Sequence, residues 1–453
     1  MDIINPANNR KIGEVQEFTE EMVHDTVGTL EKGFAGWSGC SSAARSRIMF
    51  KAAEIVRQDK DRLASILTAE QGKPLHEARN EILGAAAVME FYASIAGTIS
   101  GRTLPRADYG YAFTKKSPLG VCGAIIPWNM PALIMAWKVC PALVTGNTVI
   151  LKTASATPLT NIGIADALFS AGLPRDALAV VTGNGSIAGA AIARDERIRH
   201  LSFTGSVDTG GRIARMIDPG RTRLTLELGG SDPMIVCGDA DMDRAVAGAI
   251  SGRFFNCGQT CAAVKRLFVA DSIADEFVSR LRAGAESLIV GDGAVGGTQM
   301  GPLSSASGLK DMESFVQSIG SHGKIIAGGS RLGGPGNFYR PTLVLDPEPK
   351  SRLLTEEVFG PVLPIMRFGN LDEAIDMAND SKFGLGASIW TKDLDAAYEA
   401  VERIDSGIIW INRHLRIPPE VPFGGTKDSG IGRENGLDAL EQYLTEKTII
   451  LTP

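Results

Sequence analysis

From Val121 onward, short apolar runs alternate with amphipathic segments, and this alternation constrains the fold more than any other feature. The apolar runs predict strands at residues 121–126, 148–151, 179–181, 200–203 and 224–228. The segments between them repeat apolar positions at helical spacing, over residues 132–144, 159–171, 187–193 and 209–216. Because strands that alternate with helices build a parallel sheet covered by helices, this part of the chain predicts an α/β lobe.

A second series of the same kind follows. It predicts helices at residues 241–255, 273–283, 371–379 and 393–401, and strands at residues 266–269, 324–327, 360–366, 387–390 and 407–412. We therefore predict two α/β lobes that meet near Gly229 and Gly230, with helices over residues 20–100 before them. Two further strand-like segments, 109–116 and 447–451, lie outside both lobes and pair either into a small third unit or across subunits. The length of 453 residues agrees, at roughly 150 residues per domain.

One long uncharged run allows two interpretations. Residues 117–137 carry no charge over 21 residues, which is long enough for a membrane-spanning helix. Three prolines interrupt the run, Pro118, Pro127 and Pro131, and proline breaks the interior of a helix. We therefore favour a buried strand, a turn and the start of a helix over a membrane span.

Charge and cysteine content argue against several classes of function. The net charge is -6, so no basic surface indicates nucleic acid binding. The six cysteines form no C-x-x-C pair and the five histidines lie at no zinc-ligand spacing. We therefore expect no metal site, and free thiols in a reducing cytoplasm. The polar stretch after Met1 predicts no signal peptide or other targeting segment.

Two glycine-rich loops each follow a predicted strand and open a predicted helix. The first spans residues 183–189 and the second residues 203–210. A strand, a glycine turn and a helix N-terminus form an anion site from backbone N–H groups and the helix dipole. Neither loop has the G-x-G-x-x-G spacing, and tight turns in any α/β sheet look similar. Two such loops in succession favour a site for cofactor phosphates over plain turns.

Glu227 is the first candidate for catalysis. On its predicted strand it faces away from the neighbouring leucines, and the strand ends at Gly229 and Gly230. A partly buried carboxylate at such a place has a raised pKa and can act as a general base. The alternative is that a lone glutamate on a strand is only solvated.

Cys261 and Asn129 are the other two candidates. Cys261 lies among small residues in a glycine-containing turn, where a helix N-terminus would favour its thiolate; the alternative is a buried structural cysteine. Cys257, four residues earlier, is interpreted as packing, or at most as a resting-state redox partner. Asn129 stands between Pro127 and Pro131, which fix the backbone around an amide that suits an oxyanion; the alternative is a simple turn residue.

Taken together, these segments resemble the aldehyde dehydrogenase superfamily. The resemblance runs from about residue 4 to residue 451, and its motifs follow in one order. They are Pro127-Trp128-Asn129, Lys152, residues 203–206, residues 226–230, residues 254–261, residues 356–361 and residues 422–430. This ordered combination is highly specific.

The resemblance implies an α/β fold class, with two Rossmann-like parallel-sheet lobes and a small β oligomerisation unit. It implies a cofactor-binding domain at residues 1–99 and 119–229 and a catalytic domain at residues 230–428. Residues 100–118 and 440–453 would be the oligomerisation strands. A homodimer or homotetramer is then expected.

The resemblance also implies oxidation of an aldehyde to a carboxylic acid with NAD(P). Cys261 would be the nucleophile, and Glu227 would activate water to hydrolyse the resulting thioester. Asn129 and the Cys261 backbone N–H would form the oxyanion hole. The implied cofactor contacts are Trp128, Lys152, Ser155, Gly185, Phe203, Gly205, Ser206, Glu357 and Phe359.

Ser155 departs from the pattern of NAD-preferring relatives, which usually carry glutamate three residues after the lysine. Serine removes a negative charge that would repel a 2′-phosphate, and Lys152 can attract that phosphate. We therefore predict that NADP is accepted, either alongside NAD or in preference to it. The alternative is that Ser155 only loosens NAD binding.

The sequence leaves the aldehyde open. By position, the tunnel-lining residues are Met130, Ile134, Trp137, Ile417 and Phe423, a set that suits medium aliphatic or aromatic aldehydes. Arg413, His414 and Arg416 either bind an anionic semialdehyde or face solvent or a neighbouring subunit.

Two other functions compete with this interpretation. One is a CoA-acylating aldehyde dehydrogenase, a branch that generally lacks the base at the position of Glu227. The other is a non-catalytic dinucleotide-binding or structural protein on the same fold. The joint presence of Cys261, Glu227 and Asn129 argues against it.

Overall fold

The computed structural model describes residues 1–108, 110–319 and 323–452. Its α-helices are α1 (Glu20–Gly39), α2 (Ser42–Gln58), α3 (Lys60–Gln71), α4 (Leu75–Ile95), α5 (Pro131–Val144), α6 (Pro158–Ala171), α7 (Ala190–Arg194), α8 (Val207–Met216), α9 (Met242–Phe254), α10 (Ala274–Glu286), α11 (Ala306–Gln317), α12 (Arg352–Thr355), α13 (Leu371–Asn379), α14 (Leu394–Arg403) and α15 (Ala439–Gln442). Short helical turns of other types are Ala96–Thr98, Gly185–Gly189 and Phe255–Gly258.

The strands divide among two large sheets and three small pairs. They are β1 (Asp2–Asn5), β2 (Arg10–Glu14), β3 (Tyr111–Pro118), β4 (Val121–Ile125), β5 (Thr148–Lys152), β6 (Leu178–Val181), β7 (Ile198–Thr204), β8 (Arg223–Glu227), β9 (Asp232–Val236), β10 (Val264–Ala270), β11 (Lys324–Ala327), β12 (Thr342–Leu345), β13 (Val362–Phe368), β14 (Phe383–Gly384), β15 (Gly386–Trp390), β16 (Ile408–Ile411), β17 (Thr426–Lys427), β18 (Gly430–Ile431) and β19 (Leu444–Leu451).

The two large sheets are the cores of two α/β lobes. The first has six strands in the order β18-β8-β7-β4-β5-β6, and the second has seven in the order β11-β12-β13-β10-β9-β15-β16. All neighbours are parallel except one edge strand in each sheet, β18 in the first and β11 in the second. With the small antiparallel pair of β3 and β19, this confirms the predicted fold class.

Apolar spacing and capping residues explain the helices that precede the first sheet. In α1, Val23, Val27 and Leu30 are buried on one face at intervals of three and four residues. Thr19 caps this helix by accepting a hydrogen bond from the Met22 N–H, and Ser41 caps α2 in the same way. Helix α1 packs against one face of the first sheet, α5 and α6 cover the other face, and α2 packs against α4, α5 and α6.

The uncharged run at residues 117–137 folds as a strand, a turn and a helix start. All five residues of β4 are buried, and Pro131 begins α5, where its missing N–H costs nothing. Among the helices of the described ranges, none combines the length and the apolarity that crossing a membrane requires.

The two strand-like segments outside the lobes pair with each other within the chain. β3 and β19 run antiparallel, with Tyr111 opposite Leu451 and Pro118 opposite Leu444. The predicted segment 109–116 therefore lies two residues too early, and its first residue, Tyr109, is outside the described residues. The sequence analysis left out the hairpin of β1 and β2, and also β9, which begins with Asp232 and Pro233, residues that strands normally disfavour.

The chain crosses from the first sheet to the second between Glu227 and Asp232. Because β4, β5, β7 and β8 are parallel, their carboxyl ends lie along one edge of the first sheet. Ligands bind at such an edge in open α/β sheets. The segment from residue 127 to residue 129, both glycine-rich loops and Gly229 all begin there.

Candidate active site

Cys261 lies in a turn, residues 259–263, between a short helical turn and β10. Asn256 and Cys257 just before it have φ angles of 50° and 57°, in the left-handed region. The expected helix N-terminus at Cys261 was wrong: the residues after it enter a strand, so no helix dipole acts on the thiol. We call residues 259–263 the Cys261 turn.

Asn129 is held close to this turn by hydrogen bonds between the two loops. Its Nδ2 donates to the Gln259 carbonyl over 3.1 Å. Asn256 Nδ2 donates to the carbonyls of Asn129 and Gln259, at 3.0 and 3.1 Å. The left-handed backbone of Asn256 therefore lets one amide bind both loops, so that the Asn129 side chain and the Cys261 turn have one relative position.

Two residues at and before α4 hold the other side of the loop that contains Asn129: Glu81 within the helix and Lys73 just before it. Lys73 Nζ donates to the Asn129 carbonyl over 2.8 Å and pairs with Glu81 in the protein interior. Glu81 in turn accepts a hydrogen bond of 2.9 Å from the Ala132 N–H in the first turn of α5. A carboxylate at a helix N-terminus is favourable, so this arrangement stabilises the helix start that follows the loop.

Asn129 and Cys261 line one cleft of about 670 Å³, its open mouth included. The full set of lining residues is Pro127, Trp128, Asn129, Ile134, Thr204, Gly205, Ser206, Leu228, Gly229, Cys261, Glu357 and Phe359. Eight of the predicted site residues therefore share a single opening between the two sheets. Below, "the cleft" means this opening.

Burial raises the pKa of the Cys261 thiol to about 12. Lys265 opposes this effect, whereas the carboxyl groups of Asp232, Glu357 and Glu227 add to it. The free enzyme therefore holds Cys261 mainly as the neutral thiol at neutral pH, and ionisation depends on the charges around it.

Glu227 lies behind the cleft, not on its surface. Its side chain is 3% exposed, and neither carboxylate oxygen has a hydrogen bond to any described residue. Burial raises the pKa of Glu227 well above its usual value, and the neighbouring Glu434 raises it further, while Lys138 and Arg433 act in the opposite direction. Its charge acts on Cys261, so the carboxyl group is near the thiol although Leu228 and Gly229 form the wall.

A buried ion pair lies beside Glu227. Lys138 Nζ donates to Ser202 Oγ over 2.7 Å and to Glu434, which also accepts from Ser202. Lys138 is 0% exposed and Glu434 is 3% exposed. The sequence analysis missed these residues, because Lys138 and Glu434 are 296 positions apart and neither belongs to a motif.

The cofactor side of the cleft contains several of the predicted contacts. Trp128 and Phe359 meet edge to face, with ring centroids 5.6 Å apart. Ser206 caps α8, so the N-terminus of this helix opens next to the cleft. Glu357 Oε1 accepts from Lys265 Nζ over 2.6 Å and from the Gly230 N–H over 3.2 Å.

Lys152 and Ser155 follow β5 at the same sheet edge. The buried Lys152 Nζ donates to the Thr153 carbonyl, and burial lowers the pKa of Lys152 to about 8 with no charged group opposing it. Ser155 Oγ donates to the Gly183 carbonyl over 2.8 Å. A buried ammonium with unused protons and no carboxylate partner in the described part of the chain suits the hydroxyls or phosphate of a nucleotide ribose, so the residues present fit a dinucleotide.

Two predicted cofactor contacts lie elsewhere. Phe203 is buried, and its ring packs beneath Gly205, where an added Cβ would overlap it. It therefore supports the loop and does not line the cleft. Gly185 starts the short helical turn after β6 and is exposed, outside the cleft.

The predicted substrate residues separate into an apolar group and an exposed group. Ile134 lines the cleft, and Met130, Cys261 and Ile417 pack against the apolar core that contains Trp137 and Phe423, whose rings are 5.3 Å apart. Arg413 and Arg416 are exposed.

Both ring nitrogens of His414 are bonded within the protein, so this residue does not fit the expectation that it binds an anionic substrate. Its ring nitrogens bond Ser388 Oγ at 2.9 Å and the Ala262 carbonyl at 2.8 Å. Burial lowers the pKa of His414 to about 4, so the ring is neutral at pH 7. It braces the Cys261 turn and offers no positive charge to an anionic aldehyde.

Lys265 is the main site residue that the sequence analysis missed. It lies on β10, is 0% exposed, and bonds both Glu357 and the Cys261 carbonyl. A lysine directly before the predicted strand at residues 266–269 was the available signal.

Comparisons with known proteins agree with this architecture. A model of the aldehyde dehydrogenase family matches residues 1–449. An aldehyde dehydrogenase of Aspergillus niger is 38% identical, over 99% of this chain and 91% of its own length. An NADP-dependent enzyme of E. coli has a TM-score of 0.98 at 34% identity, over 100% of this chain and 94% of its own. Betaine aldehyde dehydrogenase of Staphylococcus aureus, solved with NAD+, has a TM-score of 0.97 at 32% identity, over 100% of this chain and 92% of its own.

Two parallel-sheet lobes with one cleft between them define a two-lobed α/β oxidoreductase. The chain belongs to the aldehyde dehydrogenase family. It is an NAD(P)-dependent oxidoreductase that oxidises aldehydes.

Proposed function

We propose that this enzyme converts its aldehyde to the carboxylic acid through a thioester on Cys261, which water activated by Glu227 then hydrolyses. The observation that carries this proposal is the shared cleft of Cys261 and Asn129, with the unbonded carboxyl group of Glu227 directly behind it. Water as the final acceptor, rather than CoA, follows from the presence of a buried base.

The first step is addition of the Cys261 thiolate to the aldehyde carbon, which places negative charge on the former carbonyl oxygen. Asn129 Nδ2 donates one of its two protons to the Gln259 carbonyl, and the other proton is available to this oxygen. Within the described part of the chain, no acceptor takes the Cys261 backbone N–H. These two donors form the oxyanion hole.

A nicotinamide cofactor held by Lys152, Glu357 and Phe359 would supply the acceptor for the hydride that leaves the former aldehyde carbon. What remains on the enzyme is a thioester between the acyl group and Cys261 Sγ. Glu227 then takes a proton from a water molecule as its oxygen attacks the acyl carbon, and the carbon–sulfur bond breaks to release the acid and the thiolate. A raised pKa makes Glu227 a stronger base once it is ionised.

We assign cofactor binding to residues 1–99 and 119–229, catalysis to residues 230–428 and oligomerisation to residues 100–118 and 440–453. The crossing between the sheets at residues 227–232 supports the first boundary. The exposed apolar side chains of Tyr111, Ile450 and Leu451 on the β3–β19 pair support a homodimer or homotetramer.

NADP is proposed as an accepted and favoured cofactor. Among the residues that the structure describes, Lys152 has no carboxylate partner and Ser155 adds none, so no negative charge there repels a 2′-phosphate. We expect kcat/KM with NADP to equal or exceed that with NAD, and Ser155→Glu to reverse the ratio. A hundredfold preference of the unaltered enzyme for NAD would contradict this proposal.

The substrate proposed is an apolar aldehyde of medium aliphatic or aromatic type. The apolar residues around Cys261 support it, and the neutral His414 removes one of the three cations considered for an anionic substrate. Arg413→Ala and Arg416→Ala should therefore leave the ratio of succinic semialdehyde to neutral-aldehyde kcat/KM unchanged. A selective loss with the semialdehyde would favour the anionic class instead.

The decisive experiment replaces the sulfur. Cys261→Ser should reduce aldehyde-dependent formation of reduced cofactor by at least about 10⁴-fold, because the serine hydroxyl is a much weaker nucleophile. Cys40→Ser is the matched control, since Cys40 lies at the end of α1, and it should keep normal turnover. Normal turnover in Cys261→Ser would overturn the thioester mechanism.

A further inference from the structure

The ammonium group of Lys265 joins three parts of the site. Every residue of β10 is buried, and Lys265 enters the protein interior from this strand. Its Nζ donates to the Gly230 carbonyl at 2.8 Å, to the Cys261 carbonyl at 2.7 Å and to Glu357 Oε1 at 2.6 Å. An ammonium has three protons, so these three acceptors use all of them.

Its partner Glu357 faces both this ammonium and the cleft. Oε1 takes both hydrogen bonds that reach the carboxylate from described residues, and the side chain crosses Gly229, where any Cβ would overlap it. The side chain is 20% exposed. Oε2 is therefore left to accept a bond from a ligand, at a place that Lys265 determines.

We propose that Lys265 is a positioning residue that fixes Glu357 for cofactor binding and supplies the charge that stabilises the Cys261 thiolate. The second part rests on the proposed function, in which Cys261 reacts as a thiolate. Neither part follows from the motifs in the sequence, because both depend on the three contacts of one ammonium group.

The charges around Cys261 support the second part. Asp232 on β9, Glu227 on β8 and Glu357 all disfavour the thiolate, and Lys265 on β10 is the one charged group among the described residues that favours it. His414, which bonds the neighbouring Ala262 carbonyl, is neutral at pH 7 because its pKa is lowered to about 4. Lys265 and Glu357 therefore act on the thiol in opposite directions.

The test uses this opposition. Full-length enzyme without ligands is treated with iodoacetamide at one pH below the thiol pKa, and the Cys261 peptide is followed by mass spectrometry. Lys265→Met should alkylate about tenfold more slowly, as expected if the pKa rises by about one unit. Glu357→Gln should alkylate several-fold faster, because a negative charge is removed while the hydrogen-bond acceptor remains.

Rescue and control variants separate charge from folding. Lys265→Arg keeps the positive charge and should restore most of the alkylation rate, whereas Lys51→Met, at an exposed position on α2, should change nothing. Lys265→Met should also raise the cofactor KM by about tenfold or more, because Glu357 loses its anchor. Thermal unfolding identifies variants that fail to fold.

Two results would overturn the inference. One is equal alkylation rates in folded Lys265→Met and the unaltered enzyme. The other is a change in the same direction for Lys265→Met and Glu357→Gln, which indicates a general disturbance of the Cys261 turn. If the alkylation rates change as expected but Cys261→Ser still turns over, the mechanism fails while the assignment of Lys265 stands.

Discussion

Two buried lysine–glutamate pairs flank Cys261, and they differ mainly in the access of their carboxylates to water. Lys265 pairs with Glu357 in the second lobe, and Lys138 pairs with Glu434 beside the first. Both lysines are 0% exposed. A further buried carboxyl group lies near each pair: Asp232, which has the Gly386 backbone N–H beside it, lies near Lys265 and Glu357, and Glu227 lies near Lys138 and Glu434.

The difference in access separates the functions that the two pairs can serve. Glu357 is 20% exposed and borders the cleft, so an incoming hydroxyl group can reach its free oxygen. Glu434 is 3% exposed and borders only protein, so it acts on its neighbours through charge and protons. In the proposed function, the same residue types thus form a binding group on one side and a group that tunes a base on the other.

The largest effect should come from the base on the enclosed side. Glu227→Gln keeps the shape of the side chain but cannot take a proton from water, so steady-state turnover should fall by about 10²- to 10⁴-fold. The first turnover should persist as a burst of reduced cofactor in stopped-flow measurements, because thioester formation precedes the step that needs Glu227. Equal loss of burst and steady state would place Glu227 outside deacylation.

The two pairs should differ in their contribution to stability. Glu434→Ala leaves Lys138 enclosed without its carboxylate and should lower the free energy of unfolding by about 3–5 kcal/mol. Glu357→Ala removes a partly exposed carboxylate, and Lys265 keeps two carbonyl acceptors, so about 1–2 kcal/mol is expected. Urea unfolding of both variants measures the difference, and equal losses would remove the distinction between an open and an enclosed pair.

The smallest expected effect is on the pH dependence of stability, through Asp232. Burial raises the pKa of Asp232 to about 8 from an ordinary 3.8. The folded state therefore binds this proton more tightly than the unfolded state does. The stabilisation that the protonated Asp232 gives to the folded state is complete below about pH 4 and is lost as the pH rises towards 8. Asp232→Asn should reduce the fall in melting temperature between about pH 6 and pH 8. An unchanged pH dependence would show that Asp232 is already ionised in the folded protein.

Much of the fold was predictable because it depends on local periodicity. The strands of the first lobe, the helices over residues 20–100 and the interpretation of residues 117–137 all follow from short-range patterns of apolar residues and proline. The N-terminal hairpin was missed because β1 and β2 are largely exposed and polar. The strand β9 was missed because its first two residues, Asp232 and Pro233, usually end strands.

The candidate site was predictable in part for a similar reason. Asn129, Cys261 and Glu357 stand in motifs, and the structure places all three around one cleft. The environment of the cysteine was not predictable, and a helix that was expected there is a turn followed by a strand. Lys265 and Lys138 were missed because a lysine within an apolar segment gives no sign of its partner.

By itself the sequence determined the fold class, the family and the residues that can carry the chemistry, since these follow from periodicity and from motifs in order. Only the tertiary structure decided which carboxylates lie in the open cleft and which are enclosed, and where each buried ammonium finds its acceptors. The physical reason is that the free energy of a charge depends on its access to water and on its partners. The partners of Lys265 and Lys138 come from segments 92 and 296 positions away in the chain.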